Sequence, residues 1–148
     1  MTISSFTRIM GFIFLMIGVV GFFPSFVSAP RFDAPNLVLE LSHGRLFGLF
    51  SVNVVLNLVH IVFGIWALAA SASAGRSTAY CRAGFMILSL FSILGLIPGL
   101  DTLYGIVPLY GHNVWLHFLL AASLAYFGYR SSMERSRFDT THASAFNP

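Results

Sequence analysis

Asn53-Val54-Val55-Leu56-Asn57-Leu58-Val59-His60-Ile61-Val62-Phe63-Gly64 is an apolar run broken at regular intervals by polar side chains. Asn53, Asn57, His60 and Gly64 stand at i, i+4, i+7 and i+11, so on a helix they share one face. The remaining faces carry only Val, Leu, Ile and Phe. A helix of this kind turns its polar stripe toward protein and its apolar faces toward something equally apolar. A second stripe follows 57 residues later: Tyr110, Asn113, His117 and Ala121, with His117 equivalent to His60.

The composition says what the apolar surroundings are. Of the 148 residues, 57% are hydrophobic and 9% charged, and the mean hydropathy is +0.82. Soluble domains carry roughly 25% charged residues, so an ordinary water-facing surface is excluded. Four uncharged, mostly apolar runs follow one another: Ile9 to Val27, Leu46 to Ser73, Ala83 to Leu100 and Leu103 to Tyr129. Each reaches the roughly 18 to 20 residues that a helix needs to cross a bilayer. The expected fold is an all-α bundle of four transmembrane helices, one domain over residues 1–130, with 131–148 as a short, polar, unordered cytoplasmic tail. The lipid bilayer is then the first partner.

Arginine placement orients the chain. Arg8, Arg76, Arg82, Arg130, Arg135 and Arg137 fall on one side, and only Arg31 and Arg45 on the other. The positive-inside rule puts the first group and both termini in the cytoplasm. The arginines are scattered over loops and ends, and the formal charge is only +3, so no nucleic-acid surface is read. Cys81 is the single cysteine and forms no internal disulfide. The first run imitates a secretory signal, with Val27-Ser28-Ala29 as a cleavage-like site; Pro30 and the length of the run argue that it is retained.

The chain also repeats. Arg8 followed by Gly21-Phe22-Phe23-Pro24 matches Arg82 followed by Gly95-Leu96-Ile97-Pro98 at constant spacing. Leu46-Phe47-Gly48-Leu49 before His60 matches Leu103-Tyr104-Gly105-Ile106 before His117. The halves, about 6–75 and 80–130, each hold two spans, so they form parallel-repeat hairpins related by an axis along the membrane normal. Loop 1, about Ser28 to Arg45, is the insertion in the first half, with Asn36 expected to cap a short turn through Leu41. Pro108 is expected in the first turn of helix 4, Arg82 at the start of helix 3, and Ser89 and Ser92 bonded back to their own helix carbonyls.

Leu46-Phe47-Gly48-Leu49-Phe50, Asn57-Leu58-Val59-His60, Gly95-Leu96-Ile97-Pro98 and Asn113-Val114-Trp115-Leu116-His117, in this order, resemble the bacterial family known as domain of unknown function 4383. The resemblance covers most of the chain from Arg8 to Gly128. It implies a small four-helix protein of the bacterial inner membrane. Two departures are visible: Ser51 stands where a proline like Pro108 is expected, and Leu56 where a polar residue or histidine is expected. The family carries no assigned activity, so the resemblance bears on fold and location.

Three roles fit the stripes. Asn and His can hydrogen-bond across helices and hold the bundle together, with Gly64 and Ala121 allowing close approach. This makes the chain a non-enzymatic structural or accessory membrane subunit, associating with itself or with a larger membrane complex. Alternatively, His60 and His117 supply axial ligands to a haem, with Asn53, Asn57 and Asn113 fixing the ring tautomers. A third reading is a quinone or other small-molecule pocket lined by Trp66 and Trp115, with a histidine as hydrogen-bond donor. No Asp, Glu, Lys or Arg lies well inside any run, which argues against a proton or ion pump. No catalytic triad, His-Glu-x-x-His motif or glycine-rich phosphate loop is present.

Overall fold

The computed structural model describes the backbone of residues 1–145 and the side chains of residues 1–130. Four helices make up most of it: α1 (Ile3–Val20), α2 (Val54–Ala70), α3 (Ala74–Leu94) and α4 (His112–Ala145). α1 and α3 are long and apolar enough to cross a membrane; α2 is apolar but has 17 residues.

Each helix start has a local cause. Thr2 Oγ1 accepts the Ser5 amide at 3.2 Å, Asn53 Oδ1 accepts the Leu56 amide at 3.0 Å, and Ser73 Oγ accepts the Arg76 amide at 3.4 Å. These are helix N-caps, each satisfying a donor that has no partner within its own helix. α3 therefore begins at Ala74, not near Arg82, and Arg76 to Arg82 are its first turns.

α1 packs antiparallel on α2, with Gly11 opposite Gly64 and Leu68, and Gly18 opposite Asn57 and Ile61. α3 packs antiparallel on α4, with Gly84 against Leu124 and the Ser92 hydroxyl donating to Val114 O at 2.9 Å. Ser92 thus ties two helices together instead of bonding back to its own turn. The main core takes side chains from all four helices: Phe6, Phe14, Phe63, Tyr80, Leu88 and Leu124 are its larger members. The burial stripe on α1 (Phe6, Met10, Phe14, Gly18) keeps the i, i+4 spacing of one helix face.

Several backbone details recur between the halves. Gly21, Phe22 and Phe23 donate to Ile17, Val19 and Val20 at 3.0–3.1 Å, and Gly95, Leu96 and Ile97 donate to Phe91, Ile93 and Leu94 at 3.0–3.1 Å. Phe47 and Gly48 have φ of 51° and 73°; Tyr104 and Gly105 have φ of 58° and 85°.

The segment between α1 and α2 is more structured than a loop. After a 3₁₀ turn at Pro24–Phe26 come β1 (Val27–Ser28), β2 (Gly44–Leu46) and β3 (Phe50–Val52), an antiparallel sheet in the order β1-β2-β3. Ser28 faces Arg45, and Arg45 faces Ser51. The all-α expectation is corrected to this extent. Residues 36–41 form no helical turn. Instead the Val38 and Leu39 amides both reach Gly105 O, at 2.9 and 3.2 Å, so this segment finds its hydrogen bonds on the other half of the chain.

Two boundaries of the last helix also differ from expectation. Leu103 to Gly111 is not helical, and Pro108 lies in this connection, four residues before α4 begins at His112. Leu103, Tyr104 and Gly105 all have positive φ, which no helix accepts, and the segment is apolar because Val107 and Leu109 are buried against Leu56 and Phe91. At the other end α4 continues to Ala145 instead of ending near Arg130, so the expected unordered tail is helical that far. No Gly or Pro stands between Arg130 and Phe146 to break it.

Candidate functional site: a buried Asn/His core

The polarity of the bundle is inverted. Ile9, Phe12 and Met16 of α1, Val62 and Ile65 of α2, Met86 and Leu90 of α3, and Phe118 and Leu119 of α4 are exposed. Asn53, Asn57, His60, Asn113 and His117 are all 3% exposed or less. Water-soluble helices do the opposite.

The five buried polar residues divide into two groups. Asn53 is not part of the inward helix stripe, because α2 starts one residue later; its backbone is extended (φ −150°) and its side chain caps the helix. Its Nδ2 donates to Ile106 O at 2.7 Å and to Leu39 O at 3.2 Å. Asn113 Nδ2 donates to Ser51 O at 2.6 Å and to Pro108 O at 2.7 Å. Each amide therefore reaches across to the connection that belongs to the other half. These two residues act as the stripes were expected to act in the structural reading, but they bind loops, not helix faces.

Asn57, His60 and His117 form the second group. The two imidazole rings are neighbours, with centroids 6.2 Å apart and planes at 45°. Neither nitrogen of either ring, and neither polar atom of the Asn57 amide, has a hydrogen-bond partner among the described residues. Phe14 lies 5.9 Å from the His60 ring and Phe91 lies 5.5 Å from the His117 ring. Gly21 lets the Asn57 amide sit close to the end of α1, where a Cβ would displace it. His60 is the seventh residue of α2, about 9 Å along it from the first, which is shallower than a helix starting at Ser51 implies.

A cavity of about 80 Å³ beneath the β2–β3 turn touches His60 and Asn113. Small-molecule sites usually occupy about 300–1,000 Å³, several times the volume of this cavity. The two tryptophans lie elsewhere. Trp66 packs edge-on against Tyr80 at 4.9 Å, toward the other end of the bundle. Trp115 is 64% exposed and lines a separate outer cavity of about 430 Å³ with Arg31, Arg45, Tyr110 and His112. Beside it, His43 Nε2 and Tyr110 Oη are 3.3 Å apart. Burial pushes the Tyr110 phenol up, and it pushes the His43 imidazole down against a smaller opposing pull from Glu40. Arg31 pairs with Asp33 at the exposed rim at 2.9 Å, and the hydrogen bond from the guanidinium holds the Asp33 carboxyl below its ordinary value.

Tyr80 escaped the sequence reading. Its hydroxyl is buried and has no partner among the described residues. The usable signal was Ser73, a cap residue that starts the helix early enough to carry Tyr80 into the core. Among the described residues no group of three or more His, Cys, Asp or Glu comes together as a metal cluster.

The helices carry apolar outer faces, a few polar side chains are buried among an apolar core, and two of the helices have the length and hydropathy to cross a membrane. The chain belongs to the family described as domain of unknown function (DUF4383), whose model matches residues 5–130. No functionally curated protein and no solved structure matches it.

Proposed function

We propose that the chain is a four-span protein of the bacterial inner membrane, a non-enzymatic structural or accessory subunit built from two repeated helix hairpins. The inverted polarity of the bundle carries this reading. Large apolar side chains such as Phe12, Met16, Val62, Met86 and Leu119 face outward from all four helices, and an aqueous surface would leave them without apolar contact. The recurring backbone hydrogen bonds after α1 and α3, and the recurring left-handed residues at 47–48 and 104–105, support the repeat.

In this reading the sheet and the 95–111 connection form an outer cap. Both termini and the short α2–α3 turn face the cytoplasm, where Arg8, Arg76, Arg82 and Arg130 cluster. Self-association or attachment to a larger membrane complex would use the exposed helix faces.

A topology experiment tests the proposal. A phosphatase reporter fused after Pro148 should be inactive, and one inserted at Asp33 should be active. The chain should also stay with membranes through an alkaline carbonate wash. Reversed reporter activities would overturn the orientation, and release by the wash would overturn membrane insertion.

A further inference from the structure

We propose that His60 and His117 form a two-coordinate binding site for a soft monovalent cation, Cu(I), at the centre of the bundle. The inference borrows from the membrane reading only its location. It starts from an anomaly: four imidazole nitrogens and both polar atoms of Asn57 are buried with no partner among the described residues. Buried polar groups are hydrogen-bonded in the great majority of cases, so a cluster of this size points to a missing bonding partner.

The ring separation indicates how large that partner is. Two imidazoles joined by a direct hydrogen bond have centroids about 5 Å apart, given about 2.9 Å between nitrogens and about 1.1 Å from each nitrogen to its ring centre. The observed 6.2 Å is longer than that. Two metal–imidazole bonds of about 2.0 Å, with the same ring offsets, give about 6.2 Å. The centroid separation thus matches a single ion held between one nitrogen of each ring.

Charge and coordination number select the ion. The described carboxylates, Asp33, Glu40 and Asp101, all belong to the outer connections, so none is available inside the bundle to neutralise a cation. The cost of burying charge rises with its square, so a divalent ion pays about four times the penalty of a monovalent one. Zn(II) also requires about four ligands in a tetrahedron, and the core offers two imidazoles and one amide. Cu(I) is monovalent, accepts imidazole, and is stable with two ligands in line. Neutral histidines supply the lone pairs. Asn57, one turn before His60, is the buried amide on the same helix, and its polar atoms are likewise without a partner among the described residues. Phe14 and Phe91 lie beside the rings, and the cavity of about 80 Å³ below the β2–β3 turn touches His60.

The test uses the full-length chain, purified in detergent and kept anaerobic and reduced. Cu(I) is offered in competition with a chromophoric chelator. One equivalent per chain should be retained, and X-ray absorption should show two nitrogen ligands at about 2 Å. His60→Gln and His117→Gln keep polar bulk and should each weaken retention at least tenfold. His117→Met supplies a soft thioether and should retain the ion. Circular dichroism checks that the variants fold; if one does not, the coordination number in the unaltered protein decides. The proposal is overturned if the chain yields all its Cu(I) to the chelator, if the two Gln variants hold it as well as the unaltered protein, or if Zn(II) binds as tightly. A chain that stays with membranes but ignores Cu(I) sinks this inference and leaves the membrane reading intact.

Discussion

Replacing Asn53 should show how much of the fold hangs on one amide. Its side chain makes three hydrogen bonds: Oδ1 accepts the Leu56 amide at 3.0 Å, and Nδ2 donates to Ile106 O at 2.7 Å and Leu39 O at 3.2 Å. Removing an N-cap costs about 1 kcal/mol. Each donated bond contributes about 1 kcal/mol net, with the longer one to Leu39 at the low end. Asn53→Ala should therefore lower stability by about 2–3 kcal/mol. Asn53→Ser separates the contributions. Serine keeps an oxygen at the cap but cannot reach the two carbonyls, so it should recover about 1 kcal/mol of the loss. Asn113→Ala loses two short bonds to Ser51 O and Pro108 O without losing a helix cap at Asn53, and should cost about 2 kcal/mol. The assay is reversible unfolding in mixed micelles, followed by circular dichroism as the denaturing detergent fraction rises. An Ala variant within about 0.5 kcal/mol of the unaltered protein would refute the reasoning, since that is the scale of an ordinary surface change. So would Ser and Ala variants that unfold together.

Two further outcomes follow from other parts of the fold. Gly64→Ala puts a Cβ 2.6 Å from Leu15 Cγ and 2.8 Å from the Leu15 amide nitrogen, so α1 and α2 must separate; the expected loss is about 1–3 kcal/mol in the same assay. Gly75→Ala, with open space around it, serves as the control, and equal behaviour of the two variants would contradict the close helix approach. The lowered His43 value gives a pH dependence with a definite sign: the folded state prefers the neutral ring, so its contribution is complete above the unfolded value of about 6.5 and shrinks as pH falls below it. Melting temperatures from pH 8 to pH 5 should fall on the acid side and flatten in His43→Gln; the same slope in both would show that another group is responsible.

The existence and order of α1, α2 and α3 were legible because long apolar runs are strong signals, while their ends fell up to nine residues from expectation because caps and the sheet set them. The juxtaposition of His60 and His117 was legible too, since equivalent positions in the two stripes meet. Other features were hidden by physics that hydropathy does not carry. Leu103 to Leu109 reads as part of a span because it is apolar, but its apolarity comes from packing against Leu56 and Phe91, and the positive φ values at 103–105 forbid a helix. Asn53 belongs to the stripe by spacing, yet a helix cap and a helix-face residue look alike in sequence when both are Asn. The small sheet left no alternating pattern to find, since its strands have two or three residues each and are fixed by partners elsewhere in the chain. Trp66 and Trp115 lie at opposite ends of the bundle, because aromatic residues near helix ends mark depth more often than a shared pocket.

The outer cap is stitched from both halves, and this has a consequence for how the protein is made. Asn53 bonds to Ile106 O, Asn113 to Ser51 O, and Val38 and Leu39 to Gly105 O. A ribosome delivers residues 1–70 well before it delivers residues 105–113. During that interval the residues of α1 and α2 are already present, while the amides of Val38, Leu39 and Asn53 must find partners other than Gly105 O and Ile106 O. The first hairpin waits with its long loop open, and the loop closes only when the second half arrives beneath it. Closure of the cap therefore cannot precede synthesis of residues 105–113, and it needs segments from both halves of the chain.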